Sequence, residues 1–351
     1  MDERLSAIEW NNTAMHFRRQ IPPNYGTLDV FHNIEQIYFP ILAAIGVIGN
    51  ALTIAILYRE KCDLSKHVTR YLMAMTVADL LVIFSDLILR HIPTHYENQF
   101  RFMYSIPLCN NHAILLYAVT DCSVWFTVAF IFDQFVMICC QKLRTEYCTD
   151  KTAVLVLGAM IALFSLVNTI WYFMLADMYQ FRNVPLFCAE RDGAIDSIAW
   201  DVIEFIHYIL SPVIPFILIL LLNVLTIRHI VLTSRESRSS RGHSIEEHPS
   251  DLEMESQRKC INLLFAMSVN FILLWAVLVF YSILSQISWL GKTSRYLPQF
   301  VREIGFMLQL LSYCTKPCIY VVFLGKFRED FTYVIKYPFN VIVQFYNDVK
   351  N

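Results

Sequence analysis

Three of the ionisable side chains inside the long apolar stretches of this sequence define the chemistry to consider. Asp79, Asp121 and Lys316 occupy positions where a charge is costly to bury unless it has a partner or a function. An intramembrane hydrolase would need two aspartates, or a serine with a histidine. Asp79, Asp121 and Ser123 have no histidine close by within their stretches. We therefore expect that the chain has no catalytic site and is not an enzyme.

The cysteines and histidines show no spacing typical of a metal site. Most of the ten cysteines lie in the predicted helices or on the predicted cytoplasmic side, where they are expected to be small buried hydrophobic residues. Cys139 and Cys140 are adjacent on one predicted helix and cannot converge on one ion. The sequence therefore predicts no metal and no cofactor.

Seven apolar stretches position these residues. They run over about residues 34–58, 71–92, 107–140, 152–176, 200–231, 259–287 and 299–324. Each supplies the ~20 apolar residues that a helix needs to cross a bilayer core. Continuous runs such as Ile214–Leu225 lack the alternation of barrel strands. With 56% hydrophobic and 17% charged residues, the chain is predicted to be an all-α bundle of seven transmembrane helices in the lipid bilayer.

The distribution of Lys and Arg orients these helices. With the N-terminus outside, 17 of the 28 Lys and Arg residues lie on the cytoplasmic side, as the positive-inside rule requires. Residues 1–32 then form an extracellular tail without a cleavable signal peptide and with a glycosylation acceptor at Asn11. Residues 33–325 form the transmembrane domain, and residues 326–351 an amphipathic helix and short cytoplasmic tail. The net charge of −2 gives no indication of nucleic-acid binding.

The third cytoplasmic connector and two outer cysteines complete this topology. The connector, about residues 233–258, is polar and serine-rich, so we expect it to be disordered. Cys109 opens the third helix on its outer side, and Cys188 lies in the loop before the fifth. Because both face the oxidising compartment, we expect a disulfide that ties this loop to the third helix.

Six of the seven apolar stretches, all but the fourth, also carry a landmark, and further landmarks lie in the loop before the fifth and after the seventh. In chain order the landmarks are Gly49-Asn50, Ala78-Asp79-Leu80, Cys109, Asp133-Gln134-Phe135, Cys188, Pro215, Asn223, Phe271, Trp275-Ala276, Lys316-Pro317-Cys318-Ile319-Tyr320 and Phe327-Arg328. Together they resemble the class A (rhodopsin-like) G-protein-coupled receptors over about residues 30–337. The segment Cys139–Leu143, and the lack of a Trp midway along the fourth helix, resemble the orphan G-protein-coupled receptor 139-like subgroup.

This resemblance implies a function and a set of site residues. It implies a plasma-membrane receptor that binds an extracellular ligand (a small molecule, amino acid or peptide) and signals through a heterotrimeric G protein. The walls of the implied ligand pocket include Leu116, Tyr117, Thr120, His207, Ser211, Trp275, Leu278, Ser282, Arg302, Phe306 and Gln309. The implied switch and coupling residues are Asp79, Ser123, Asp133, Gln134, Asn223, Trp275, Lys316, Pro317 and Tyr320.

The pocket residues restrict the classes of ligand that we expect the pocket to bind. Leu116 stands where amine receptors have a carboxylate, so a biogenic amine is disfavoured. Charged residues of both signs at the mouth, among them Arg90, Asp86 and Arg302, suit a zwitterion or a peptide terminus. A solvated vestibule with internal ion pairs is an equally weighted alternative. Asp121 is expected to bond across helices rather than to ligand.

Lys316 is a departure from the family pattern, which has Asn before Pro317. The resemblance places Lys316 opposite Asp79, beside a sodium site that Ser123 would complete. We expect an ion pair in which the ammonium supplies the charge that sodium supplies elsewhere. The alternatives are a lysine that extends to the cytoplasm and a retinal-type lysine, which in the opsins lies about two turns further out, where this chain has Leu310.

Three further departures concern signalling. Gln134 replaces the family's Arg, Val277 replaces a Pro in the sixth helix, and Ile48 replaces a Pro before Gly49. Gln134 cannot pair ionically with Asp133, which we expect near the cytoplasmic face within reach of water. The alternative is that Gln134 is a harmless variant of a polar pair at the end of the helix.

Together the departures predict weak G-protein coupling. The alternative function is a receptor fold that binds a ligand or partner without activating a G protein. A transporter or channel is less favoured because the sequence has no internal repeat.

Overall fold

The computed structural model is almost entirely helical. It describes residues 25–59, 64–95, 106–173, 175–176, 189–190, 198–240, 251–290, 299–334 and 336. Seven helical segments are long and apolar enough to cross a membrane: Asn33–Tyr58, Lys66–His91, Asn110–Cys139, Asp150–Phe173, Phe205–Arg235, Arg258–Ser285 and Phe300–Phe323. We call them the first to the seventh span. The predicted bundle of seven transmembrane helices is confirmed.

The helices extend beyond the spans. Their bounds are Tyr25–Tyr58, Lys66–Val82, Ile83–His91, Ile92–His95, Ile106–Cys139, Gln141–Tyr147, Asp150–Val167, Asn168–Phe173, Ile198–Tyr208, Ile209–Val213, Ile214–Ser240, Asp251–Leu290 and Gln299–Phe323. Residues 325–334 form the short helix predicted after the seventh span. Strands β1 (Leu175–Ala176) and β2 (Ala189–Glu190) pair antiparallel. We call the end where the first span begins the outer end, and the opposite end the inner end.

Changes of helical pitch mark the outer half of two spans. The second span widens into a π-helix over Ile83–His91, and the fifth does so over Ile209–Val213. Pro212 explains the second case, since a proline has no N–H to continue the α-helical ladder. The sixth span lacks a proline after Trp275, and its helix is continuous from Asp251 to Leu290.

The third span lies at the centre of the bundle. In the most apolar segment of the third span, 72% of the residues are buried, whereas the value for the fourth span is 17%. The first and seventh spans approach closely at Gly46, where an added Cβ would lie 2.5 Å from the sulfur of Cys314. Asn50 Nδ2 donates to the carbonyl oxygen of Tyr313 at 3.1 Å and fixes the same contact. The short helix at residues 325–334 packs on the inner end, since Phe327 is buried against Tyr320.

The connector between the fifth and sixth spans, which the sequence predicts to be disordered over about residues 233–258, differs from that prediction in its described parts. Its two ends are helical, because the fifth helix runs to Ser240 and the sixth begins at Asp251. Adding residues to an existing helix costs far less than starting one, so polar sequence next to a span continues the helix.

Several predicted features lie outside the described residues. They are residues 1–24 of the N-terminal tail with Asn11, Cys188, residues 241–250 and most of the C-terminal tail. The side chain of Cys109 is also outside them, so the Cys109–Cys188 disulfide stays a prediction.

Candidate functional site

A cavity of about 430 Å³ lies in the outer half of the bundle. All eleven residues predicted to form the pocket line it: Leu116, Tyr117, Thr120, His207, Ser211, Trp275, Leu278, Ser282, Arg302, Phe306 and Gln309. Asp86 and Arg90, which the sequence analysis places at the mouth, also line it, and the structure adds Trp171, Tyr208, Pro212, Tyr281 and Ser285. The volume lies within the range typical of small-molecule sites, ~300–1,000 Å³.

Two arginines line this cavity in different states. Arg90 is held by Asp86 at 2.6 Å and lies over the ring of Phe306, with 5.6 Å between its Cζ atom and the ring centroid. Arg302 pairs with its neighbour Glu303 at 3.1 Å, and its side chain is 45% exposed. Exposed pairs of this kind contribute ~0–1 kcal/mol. Arg302 is therefore the arginine that can exchange its partner for a ligand at low cost.

An aromatic cluster forms the wall between the third, fourth and fifth spans. Tyr117 stacks on Trp171 with 4.2 Å between ring centroids, and His207 packs edge-on against both rings at 5.1 Å. Trp171 was missed by the sequence analysis, because the resemblance assigned the pocket to the third, fifth, sixth and seventh helices. A tryptophan at the outer end of an apolar stretch was the available signal.

Asp121 links three spans behind this wall. Its carboxylate accepts hydrogen bonds from Ser211 and from Asn168 Nδ2, the latter at 2.7 Å. Trp171 donates to Asn168 at 2.8 Å. The fold also brings His207 into electrostatic contact with Asp121, which the sequence did not indicate. Because the hydroxyl of Ser211 donates to Asp121 rather than to His207, the group lacks the order of a hydrolytic triad.

Trp275 forms the floor of the cavity and joins it to the seventh span. It is buried, stacks on Phe271 at 5.0 Å, and donates through Nε1 to Ser312 Oγ at 3.1 Å. A cavity of about 10 Å³ lies beneath it, lined in part by Ser312 and Lys316. This space admits about one water molecule, so the floor and the ion pair below it are close neighbours.

The predicted pair of Lys316 and Asp79 is present. The ammonium of Lys316 lies 2.8 Å from Asp79 Oδ1 and 3.4 Å from the hydroxyl oxygens of Ser123 and Thr127. Ser123 also donates to Asp79. Both members of the pair are buried, so Lys316 does not extend to the inner surface. Thr127 was missed by the sequence analysis, although it lies one helical turn after Ser123 on the same face.

Asp133 is less accessible than the sequence predicts. It is 1% exposed, so the expectation that water reaches it is wrong. The second span and the connector after the third cover it through His67 and Cys148. Gln134 Nε2 donates to Asp133 Oδ2 at 3.1 Å, and Gln134 Oε1 has no hydrogen-bond partner among the described residues. Burial and the Asp133 carboxylate raise the pKa of the Cys148 thiol to about 12.

The remaining switch residues occupy the inner half of the bundle. Asn223 donates to the carbonyl of Ile219 at 2.6 Å, within its own helix. Pro317 lies inside the seventh helix, next to Lys316. Tyr320 is fully buried. The structure thus divides the predicted residues into an outer group around a cavity and an inner group of closely packed polar contacts.

Comparison with known proteins agrees with this arrangement. The model of the family "7 transmembrane receptor (rhodopsin family)" matches residues 49–320. The chain is also 26% identical over 228 residues to cysteinyl leukotriene receptor 1 of Cavia porcellus. That match covers 63% of this chain and 64% of the relative, less than two thirds of the relative's length. The family is one of receptors rather than enzymes. From its seven spans and the matched residues, the chain belongs to the rhodopsin family of seven-transmembrane receptors.

Proposed function

We propose that this chain is a plasma-membrane receptor for an extracellular ligand with an anionic group and an apolar body, coupled with low efficacy to a heterotrimeric G protein. The observation that supports it best is the outer cavity, which combines arginines at its rim with an aromatic floor. The N-terminus is extracellular in this proposal, and residues 33–325 form the transmembrane domain.

The charges of the cavity favour a negatively charged ligand. Its described charged lining comprises Asp86, Arg90 and Arg302, and Asp86 is already paired with Arg90. This leaves the guanidinium of Arg302 to form a bidentate, charge-assisted contact with a carboxylate. Below it, Phe306, Leu278 and Trp275 offer an apolar surface to the rest of the ligand.

The relative supplies the first compounds to test. It is named as a cysteinyl leukotriene receptor, so cysteinyl leukotrienes lead a panel of carboxylate-bearing ligands. Amino acids and peptides with a free C-terminus follow, because the same guanidinium would bind their carboxylates. The segment Cys139–Leu143 keeps the ligands of the receptor 139-like subgroup in the panel.

Low efficacy is proposed from the inner half of the bundle. Gln134 is buried and uncharged where the family carries an arginine for the G protein. The ammonium of Lys316 is fixed to Asp79 between the second and seventh spans. A ligand activates a receptor only to the extent that it binds the active state better than the resting state. The Lys316–Asp79 pair stabilises the resting arrangement and therefore opposes activation.

A second candidate function also rests on the burial of the uncharged Gln134. The buried Gln134 favours a receptor that binds ligand or a partner without activating a G protein. In that case the outer cavity would bind ligand with ordinary affinity, and nucleotide exchange would stay at the basal rate.

Binding and nucleotide exchange, measured together in nanodiscs, test the proposal. We expect a carboxylate-bearing ligand to bind and to raise exchange modestly. Arg302→Gln should weaken binding about tenfold or more, since a charged hydrogen bond contributes ~1.5–3 kcal/mol.

The matched control is Glu303→Gln, which releases Arg302 from its neighbour and should maintain or raise affinity. Equal affinity in Arg302→Gln and wild type would contradict the anionic ligand. Binding without exchange would instead support the second candidate.

A further inference from the structure

Three metal-ligating side chains converge at the inner end, away from the ligand cavity. They are His67 of the second span, Asp133 of the third span and Cys148 of the connector that follows it. One ligand atom of each lies within 4.8 Å of the others. His67 and Asp133 are buried, and the Cys148 thiol is free. The positions are 66 and 15 residues apart in sequence, so no local spacing indicated them.

The separation of the histidine and the carboxylate is informative. His67 Nε2 lies 3.5 Å from Asp133 Oδ2, whereas charge-assisted N–H···O⁻ bonds are ~2.7–2.9 Å long. Two ligands on a tetrahedral zinc ion, with bonds of ~2.0–2.3 Å, lie roughly 3.3–3.7 Å apart. The 3.5 Å separation is therefore compatible with two ligands of one ion.

We propose that His67, Asp133 and Cys148 form a binding site for a divalent transition metal of the zinc type, with water as the fourth ligand. Imidazole and thiolate favour such an ion over Mg²⁺ or Ca²⁺, which prefer oxygen ligands. On binding, the thiol gives one proton to solvent, and the thiolate and the carboxylate together balance the two positive charges of the ion.

The replacement at Gln134 fits this site. The Asp133 carboxylate contacts the His67 imidazole, and the neighbouring Gln134 adds a hydrogen bond but no charge. A buried carboxylate is stabilised when a cation neutralises it. The Gln134 amide holds the carboxylate in orientation, as outer hydrogen bonds do at metal sites.

The ion would join three separate parts of the inner end. His67 lies at the start of the second span, Asp133 near the end of the third, and Cys148 directly after the helix Gln141–Tyr147. Bound metal would therefore fix this connector helix against the bundle. This inference does not depend on the proposed ligand or on G-protein coupling.

Cobalt spectroscopy of the full chain in nanodiscs tests the site. After chelation and dialysis, Co²⁺ should produce a thiolate-to-cobalt charge-transfer band and the strong visible bands of a tetrahedral ion, and Zn²⁺ should abolish both. Cys148→Ser should remove the charge-transfer band, and His67→Gln should weaken binding at least tenfold. The matched control is Cys140→Ser, which removes another cytoplasmic-end thiol and should change nothing.

Thermal unfolding provides a second measurement, and it also detects variants that fail to fold. Zn²⁺ should raise the melting temperature of the wild type and of Cys140→Ser but not of Cys148→Ser. The proposal is overturned if wild-type chain gives no cobalt band, if the band survives in Cys148→Ser, or if it is lost in Cys140→Ser alone. Equal stabilisation of all variants by Zn²⁺ would also overturn it.

Discussion

Two charged sites, one in the outer and one in the inner half of the bundle, differ in how firmly the charge is held. In the outer half, Arg302 is exposed beside an open cavity and pairs weakly with its neighbour. In the inner half, Lys316 and Asp79 are buried with a separation of 2.8 Å, and two hydroxyl groups complete the surroundings of the ammonium. Arg302 is free to exchange its partner, whereas Lys316 and Asp79 are committed to each other.

This difference indicates where function can vary without loss of the fold. Changing Arg302 should alter ligand affinity and leave stability nearly unchanged. Changing one member of the inner pair should alter stability first, because it leaves an unpaired charge out of water. The departures from the family pattern at Gln134 and Lys316 therefore act on the equilibrium between receptor states. The residues that line the outer cavity act on ligand selection.

The largest effect is expected from breaking the inner pair. Asp79→Ala leaves the ammonium of Lys316 buried without its carboxylate, and loss of one partner of a buried pair costs ~3–5 kcal/mol. Surface expression and the melting temperature in detergent should both fall. The double variant Asp79→Ala with Lys316→Ala should recover much of the loss, since it leaves no charge behind. Equal losses in the single and double variants would contradict the pair.

The exposed pair of Arg70 and Asp150 is the control for that experiment. Its separation, 2.9 Å, is nearly the same, but the two side chains are 47% and 39% exposed. Asp150→Ala should therefore cost no more than ~1 kcal/mol. The contrast separates the effect of burial from that of distance.

A smaller effect is expected from the contact between the first and seventh spans. In Gly46→Ala the new methyl group would lie 2.5 Å from the sulfur of Cys314 and 2.8 Å from Ile83 Cδ1. Overpacking of this kind costs ~1–3 kcal/mol. Gly158→Ala is the control, because nothing lies within 4 Å of its Cβ and alanine favours a helix. A melting temperature lowered in both variants would show that the close approach is not the cause.

The smallest effect concerns sodium. Wild-type ligand affinity should not depend on sodium, because the ammonium of Lys316 occupies the position beside Asp79 and Ser123. Lys316→Asn should introduce sodium dependence of roughly fivefold, at the lower end of allosteric couplings. Potassium at equal ionic strength is the control for general screening. Sodium dependence already present in the wild type would refute the replacement.

The sequence predicted most of the fold, because crossing a bilayer imposes a length and a composition on each helix. The seven spans follow from that constraint, and the short helix after them follows from its amphipathic pattern. The eleven cavity residues followed from the family resemblance, which assigns positions on helices of fixed geometry. The Lys316–Asp79 pair followed from the cost of an isolated buried charge together with the same resemblance.

The remaining features depend on contacts between helices that no sequence period encodes. Trp171 lines the cavity from the segment Asn168–Phe173, where the fourth span tightens into a 3-10 helix. The burial of Asp133 comes from residues of the second span and of a connector. The metal-type cluster with His67 and Cys148 arises in the same way, so a search for local spacing could not detect it.

The most direct test of the central claim is ligand-driven nucleotide exchange in Gln134→Arg. We expect the wild-type chain in nanodiscs to give weak exchange, and Gln134→Arg to increase it severalfold at unchanged ligand affinity, because the arginine restores the charge that the family presents to the G protein. Gln141→Arg, which adds the same charge at an exposed position nearby, should leave exchange at the wild-type rate. Strong exchange by the wild type with no gain in Gln134→Arg would contradict the account.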